Sequence, residues 1–301
     1  MTHRMPHNLN FGKKLLLNAA SATLIAIANA PAVHSQSQSE HTAFEAASVK
    51  PNNSTDFRDL RLQFLPGGRL VFRNTPLLLI VATAYNVPFQ SPRLTGGADW
   101  KQLASARYDI EATAEKGAIP PGSSTNVRDE RMRLMLRSLL EDRFKLKIRR
   151  EPKEQPVYAL VVSKGGSKLL KSNTQEKDCV DGATGPGTKC HSVGGGQGRG
   201  IHGDAVSIAD VALFVQNWTD RPVVDNTGLT DLYNIQTDGW TPMRQRPAGP
   251  EGTPQGGDAG LYDPDRQTLQ RVFEQLGLRM EPQRAVVDMF IVEHLEKPAE
   301  N

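Results

Sequence analysis

Apolar residues recur along the chain with two different spacings, which predict strands and helices in alternation. In the segment 106–115, Tyr108, Ile110 and Ala112 occupy every second position, which is typical of a half-buried β-strand. The segment 129–144 repeats its apolar residues with helical spacing instead, at Leu136, Leu139, Leu140 and Phe144. A half-buried strand is therefore followed by an amphipathic helix.

The same order is predicted again in the second half of the chain. A helix over 207–218 begins with Ser207 and Asp210, which have the spacing of a capping box variant. A strand follows over 232–238, and a helix with apolar residues on one face covers 266–277. The helix, strand and helix of the first half thus have counterparts in the second.

The two halves are also predicted to begin and end with similar elements. In the first half, the opening helix covers 76–87, with Thr75 as its N-cap and Pro76 at its first position. Each half closes with a stretch that we interpret as two strands joined by a short polar turn, over 143–164 and 278–297. The recurrence predicts an internal duplication.

These patterns predict an α+β fold of two related modules. Each module has the order helix, strand, helix, strand, strand, with its helices packed on small, mostly antiparallel sheets. We expect the first module over 42–171 and the second over 204–301, with a mobile insert over 239–264 that is rich in proline and glycine. A glycine-rich linker over 172–203 separates them.

The N-terminal residues have the three parts of a secretory signal peptide. Lys13 and Lys14 precede an apolar run over 15–30, and small residues follow it, so we predict a signal peptide over 1–35 with cleavage after Ser35. A retained membrane anchor is the alternative, but a run of 16 residues is shorter than the roughly 20 that a spanning helix needs. We expect a periplasmic or secreted protein.

Removal of that segment changes the charge of the protein. The whole chain of 301 residues has a formal net charge of +3, and 1–35 contains three basic residues and no acidic one. The mature chain is therefore close to neutral, which gives no general argument for nucleic acid or an anionic membrane as a partner. Its longest apolar run, 77–85, is too short to cross a bilayer, so we expect no transmembrane segment after cleavage.

Cys179 and Cys190 are the only cysteines, and export favours a disulfide between them. Closing a loop of about 12 residues contributes roughly 3 kcal/mol of stability. Two free thiols or half a metal site are the alternatives. His191 lies beside Cys190, but no further ligand has a suitable spacing, so the zinc interpretation is weak and we predict no metal site.

The remaining candidates for chemistry are few. The glycines of the linker lack the spacing of a phosphate-binding or dinucleotide-binding loop, so no cofactor is expected. Asp225 follows an apolar strand, but Asp-Asn-Thr-Gly is also ordinary turn chemistry, and His294 alternates with Val292 on a strand surface. Neither a zincin helix nor a nucleophile elbow occurs in the mature chain. We predict no catalytic residue, and we attribute the tryptophans mainly to core packing.

Four stretches resemble a large family of exported proteins of unknown function found mainly in soil bacteria. They are LTGGADWKQLASARYDIEATAEKG, MLRSLLEDRFKLKIRREPKEQPVYALVVSKGGSKL, RPVVDNTGLTDLYNI and VDMFIVEHLEKPAEN, and the resemblance covers 44–301. The segment RPVVDNTGL is also similar to the short N-terminal domain of secretins and TonB-dependent receptors, an α+β interaction module. The resemblance implies export and a fold, but it supplies no catalytic residue.

Two functions remain open from the sequence. The first is an exported, soluble interaction or sensing module without catalytic activity, whose partner is an envelope protein or a cell-wall ligand. For it we predict binding at an open sheet edge, over 157–162 or 287–292, or at a groove between the modules. The second is a cell-envelope hydrolase that uses scattered carboxylates such as Asp225 and Glu293. Gathering of Asp225 and His294 in one deep cleft would favour the hydrolase.

Overall fold

The computed structural model describes residues 43–54, 56–89, 91–180, 190–240 and 268–298. The predicted signal peptide and most of the predicted insert over 239–264 lie outside these ranges. Helices and small, mostly antiparallel sheets make up the described part, which confirms the α+β class. Among the described residues, no helix is both long and apolar enough to cross a membrane.

The elements follow in this order along the chain: β1 (Phe44–Asn52), β2 (Arg61–Leu65), β3 (Arg69–Pro76), α1 (Leu77–Ala84), β4 (Leu94–Gly96), α2 (Ala98–Leu103), β5 (Arg107–Ala114), α3 (Thr125–Phe144), β6 (Lys147–Val162), β7 (Leu170–Lys171), β8 (Gly194–Gly196), β9 (Gly200–Val206), α4 (Ile208–Val215), β10 (Val223–Asp225), β11 (Tyr233–Gln236), α5 (Leu269–Gln275) and β12 (Leu278–His294).

The first half builds an antiparallel sheet in the order β1-β5-β3-β2. The alternation in β5 directs Tyr108, Ile110 and Ala112 into the core, as its sequence predicts, and α1 and α3 cover them. The apolar face of α3 is buried at Met132, Met135, Leu136, Leu139, Leu140 and Phe144. Burial of this face, rather than helix propensity alone, fixes α3 on the first core.

The second half builds a similar sheet in the order β7-β11-β9-β8, which packs with α4 and α5. The stretch 172–203, which we predicted as a linker, contains β8 and the first four residues of β9. Glycine is required here because a side chain at Gly200 would overlap the carbonyl of Thr237, and φ at Gly200 is 83°. A side chain at Gly195 would likewise overlap backbone, whereas Gly198 faces open space. The linker and the domain boundaries stay predictions.

A third sheet joins the two halves. Its central strands are β6 and β12, which pair antiparallel from Lys147 to Val162 and from Leu278 to His294. Our interpretation of each stretch as two strands and a turn is therefore wrong. The polar run of β6, from Arg150 to Pro156, lies in a ribbon that is mostly exposed, so no alternation of buried and exposed residues marks it as a strand.

The short strands of this sheet are exchanged between the halves. Strand β10 of the second half pairs parallel with 158–160 of β6, and β4 of the first half pairs parallel with 290–292 of β12. On β6 and on β12, this parallel pairing begins four residues after the facing pair Glu154 and Val286. These pairings cover 158–160 of the predicted edge 157–162 and 290–292 of the predicted edge 287–292, so neither stretch is an open edge along its whole length.

Buried side chains of each half also pack in the core of the other half. Phe290, Val292 and Leu295, from the last strand and the residue after it, belong to the first core, whereas Leu160 of β6 belongs to the second core. The order of elements recurs in the two halves, but duplication of the sequence stays a prediction. Because each core contains residues of both halves, the two predicted modules share their packing.

The two halves enter their first helix in a similar way. Asn74 (φ 47°) and Ala205 (φ 53°) both adopt left-handed backbone conformations three residues before α1 and α4 begin. Ser207 caps α4 and forms the predicted capping box with Asp210. In contrast, α1 has Pro76 as its N-cap, and the hydroxyl of Thr75 donates within β-structure to carbonyl oxygens instead. The prediction of Thr75 as a cap is wrong.

Candidate functional site

A groove of about 380 Å³ lies between helices of the two halves. Its walls come from α1 and the loop after it, from the first turns of α3, and from α4. Partly buried apolar side chains line it at Leu79, Leu213 and Phe214, and the exposed ring of Phe89 lies at its rim. The groove therefore offers apolar surface to a ligand without enclosing it.

One end of the groove is polar and is built around His191. The Nδ1 atom of His191 lies 2.7 Å from Oδ2 of Asp210, and its Nε2 atom lies 2.9 Å from Oε2 of Glu176. The amide nitrogen of Asn126 lies 3.0 Å from Nε2 and donates to Oε1 of Glu176 at 3.1 Å. A histidine thus sits between two carboxylates and an amide from separate parts of the chain.

The backbone at His191 is held from both sides. Cys190 forms the predicted disulfide with Cys179, and the amide of His191 donates to the carbonyl of Ala205 at 3.0 Å. The φ angle of His191 is 62°, in the left-handed region that costs a residue with a side chain about 1 kcal/mol or more. This conformation aims the imidazole at the start of α4.

Hydrogen bonds from Ser207 hold the Asp210 carboxylate independently of its contact with the imidazole. Its Oδ2 atom accepts from the amide of Ser207 at 2.8 Å and from the hydroxyl of Ser207 at 2.7 Å, as part of the capping box of α4. The same oxygen faces His191. The capping box therefore sets the position of the carboxylate, and the carboxylate sets the orientation of the ring.

Glu176 and Asn126 reach His191 from the other side. Glu176 lies in a short 3₁₀ turn just before Cys179, and Asn126 lies in the first turn of α3. The amide of Thr125 donates to the carbonyl of Cys179 at 2.8 Å, which ties this turn to the start of α3. Through the disulfide, the starts of α3 and α4 are thus joined around one histidine.

The protonation of His191 follows from these neighbours. The hydrogen bond to Asp210 raises the pKa of His191 above its ordinary value, and the negative charges of Asp210 and Glu176 raise it further, against a lowering by burial. Only 10% of the His191 side chain is exposed, whereas 55% of the Glu176 side chain is. Asp210 is therefore the fixed partner and Glu176 the accessible one.

The candidate residues of the hydrolase interpretation lie far from each other. Asp225 pairs with Leu160 on β6, and His294 pairs with Lys147, thirteen residues away on the same strand. At about 3.3 Å per residue this is about 40 Å along the strand. Asp225 accepts from the amide and hydroxyl of Thr227, at 2.9 and 2.7 Å, in the turn that its sequence indicates.

The other charged candidate and the tryptophans also have structural partners. His294 contacts Glu296 at 2.8 Å, and Glu293 accepts from Arg149 at 2.8 Å, both on exposed surface. Trp100 and Trp240 are buried in the first and second cores, as core packing predicts. The described structure therefore does not bring Asp225, Glu293 and His294 into one cleft.

Sequence reasoning weighed His191 but missed its partners. Glu176 and Asn126 lie 15 and 65 residues before it, and Asp210 lies 19 residues after it. These spacings match no metal or catalytic motif, because the disulfide and two helix starts, rather than one local turn, bring the residues together. In the sequence, Asp210 is singled out only by the capping box with Ser207, and a capping box predicts the start of a helix, not a contact with His191.

Comparison with known proteins gives a family but no activity. No curated protein and no solved structure matches the chain. The family described as "Protein of unknown function (DUF3738)" matches residues 79–295, which include α3, the cysteine pair, His191 and β12. This match spans well over half of the 301 residues. The chain belongs to the DUF3738 family.

Proposed function

We propose that the protein is an exported interaction module that binds a peptide segment of an envelope protein in the groove between α1, α3 and α4. The observation that carries the proposal is the groove itself, where the partly buried side chains of Leu79, Leu213 and Phe214 lie beside a polar end at His191. Apolar surface with a few placed polar groups is the usual composition of a binding site.

The chemistry of the groove favours a peptide. Apolar side chains of the groove provide anchor positions, and the exposed side-chain amide of Asn86 can donate and accept hydrogen bonds with a peptide backbone. The exposed ring of Phe89 adds an aromatic contact at the rim. A short segment with two or three apolar residues fits these features.

Two observations support binding without catalysis. Asp225 and His294, which the hydrolase interpretation needs in one cleft, are about 40 Å apart along β6 and lie outside the groove. Within the groove, both ring nitrogens of His191 already contact side chains. A general base needs a nitrogen within reach of the proton it abstracts, and here neither is directed at an open position.

Export is part of the proposal, and the disulfide supports it. Disulfides such as Cys179–Cys190 persist in oxidising compartments and are rare in the cytosol of mesophiles. Recovery of the processed chain from the periplasm or medium, with Gln36 at its N-terminus, is the expected result. An unprocessed chain confined to the cytosol would contradict export and leave the groove proposal to its own test.

The groove proposal is tested with a displayed random peptide library selected on the oxidised protein. Peptides enriched on the wild type should bind the Leu213→Glu variant at least about tenfold more weakly, because the charge is placed on the apolar floor. Val286→Glu is the matched control, since Val286 is an apolar residue that is 67% exposed on β12, away from the groove.

Fluorescence polarisation with labelled peptides gives the affinities, and circular dichroism checks that both variants fold. Equal weakening by the two variants, or unchanged binding to Leu213→Glu, contradicts the groove as the site. Failure of the library to enrich any peptide contradicts a peptide as the ligand.

A further inference from the structure

We propose that His191 and Glu176, together with the side chain of Asn126, bind a divalent transition-metal cation such as Zn²⁺. The Nε2 atom of His191 and Oε2 of Glu176 lie 2.9 Å apart, and the Asn126 amide lies 3.0 Å from Nε2. The three side chains come from the loop after the disulfide, the 3₁₀ turn before it and the first turn of α3. This inference does not depend on peptide binding in the groove.

The orientation of His191 is that of a metal-ligating histidine. Such a histidine commonly donates one ring N–H to a carboxylate, which fixes the tautomer and leaves the other nitrogen for the metal. Asp210 holds Nδ1 at 2.7 Å, and Ser207 in turn holds the same carboxylate oxygen with two hydrogen bonds. Nε2 is therefore left directed at Glu176.

The contact between Nε2 and Glu176 needs a cation. When the neutral ring donates Nδ1–H to Asp210, Nε2 carries a lone pair. The Asn126 amide, 3.0 Å away, can donate to this lone pair, but Nε2 also faces a carboxylate oxygen of Glu176 that only accepts. Two acceptors 2.9 Å apart repel each other unless a proton or a metal ion lies between them. A metal supplies this cation without requiring a charged imidazole.

The ligand types select the class of metal. Imidazole nitrogen and carboxylate oxygen suit Zn²⁺ and neighbouring transition metals, with bonds of about 2.0 to 2.2 Å. Glu176 is 55% exposed, so its side chain can move to admit the ion while His191 stays in place. Rotation of the Asn126 amide presents its oxygen as a third ligand, since oxygen and nitrogen of an amide exchange places in such a flip.

The neighbouring sulfur is excluded as a ligand in the oxidised protein. The Sγ atom of Cys179 lies within 4.8 Å of the ligand atoms of Glu176 and His191, but it is bonded to Cys190. Thiolates, not disulfides, bind metals. The site we propose thus has nitrogen and oxygen ligands from the protein, and solvent completes the coordination.

The test is a Zn²⁺ titration of the full oxidised chain, in competition with a chromophoric chelator. We expect one Zn²⁺ per chain, and binding about tenfold or more weaker in His191→Gln and in Glu176→Gln, because the first removes the imidazole nitrogen and the second removes the carboxylate charge. His294→Gln is the matched control: His294 also contacts a glutamate through Nε2, at 2.8 Å, but its side chain is 41% exposed. This variant should keep the wild-type affinity.

A second measurement separates a metal from a proton. At the Zn²⁺ concentration that just saturates wild type, the ring protons of His191, followed by NMR, should shift fully in wild type and only slightly in Glu176→Gln, with the folded spectrum otherwise retained. Wild-type affinity in both ligand variants, or equal loss in His294→Gln, overturns the site. A His191 signal that responds to pH and not to Zn²⁺ shows that only a proton lies between His191 and Glu176, and this result also overturns the metal site.

Discussion

Replacing Leu160 by alanine should destabilise both halves of the molecule equally, although Leu160 contacts only the second core. Leu160 is fully buried on β6 and packs with the residues of α4 and α5. Truncation of a buried leucine to alanine costs between about 2 and 5 kcal/mol, so we take about 3 kcal/mol as the expected loss. Because β6 and β12 are shared by both cores, this loss applies to one cooperative transition.

Hydrogen exchange measured by mass spectrometry reports the stability of each half separately. A loss of about 3 kcal/mol raises the exchange rate of the slowest amides by about a hundredfold, since each 1.4 kcal/mol is a factor of ten. We expect this increase in the peptide around Ile110 of the first core and in the peptide around Phe273 of the second. Urea denaturation should show a single transition at a lower midpoint with an unchanged slope.

The control is Val286→Ala, which truncates an exposed residue of the same sheet and should change the stability by less than about 0.5 kcal/mol. The reasoning is refuted if the amides around Ile110 keep their wild-type rates while those around Phe273 exchange faster. The halves would then unfold independently, despite the exchanged strands.

Three further predictions concern single features of the fold. Replacing both cysteines by serine should lower the free energy of unfolding by about 3 kcal/mol in urea, because the crosslink spans a separation of 11 residues. Gly200→Ala should lower the melting temperature clearly more than Gly198→Ala; φ is positive at both, but only at Gly200 would the new methyl group overlap the backbone. The Arg150 guanidinium donates to Asp288 and lowers the pKa of that carboxyl. The stabilisation from this ion pair is therefore present at neutral pH and is lost as the pH falls through the folded-state pKa of Asp288. The stabilities of wild type and Asp288→Asn, measured against pH, should converge in acid.

Much of the local structure follows from the sequence. The alternation at Tyr108 and Ile110 gives β5, and Ser207 with Asp210 gives the start of α4, because each signal depends on residues a few positions apart. The helix before β6 is likewise predicted by its leucines. These elements are decided by periodicity and capping, which a single sequence contains.

The arrangement of the long strands does not follow in the same way. The polar run ending at Pro156 resembles a turn because strands are recognised by one buried face, and here the ribbon is mostly exposed. Nor does any local signal predict that β10 pairs with β6 while β4 pairs with β12. Such exchanges depend on residues more than 60 positions apart.

The candidate site was predicted only in part for the same reason. His191 and the disulfide are visible in the sequence, but Glu176 and Asn126 approach His191 only after the 3₁₀ turn is tied to the start of α3. Carboxylates and amides at unrelated spacings are common on surfaces. Their meaning depends on the buried ring that they surround.

The contribution of β12 to the first core also bears on the order in which the chain folds as it is synthesised. Phe290, Val292 and Leu295 are synthesised well after the other buried residues of the first core, which lie between positions 49 and 146. The N-terminal half therefore cannot close its core while the C-terminal strand is still missing. Apolar surface of the first half therefore stays exposed during synthesis until β12 has been made.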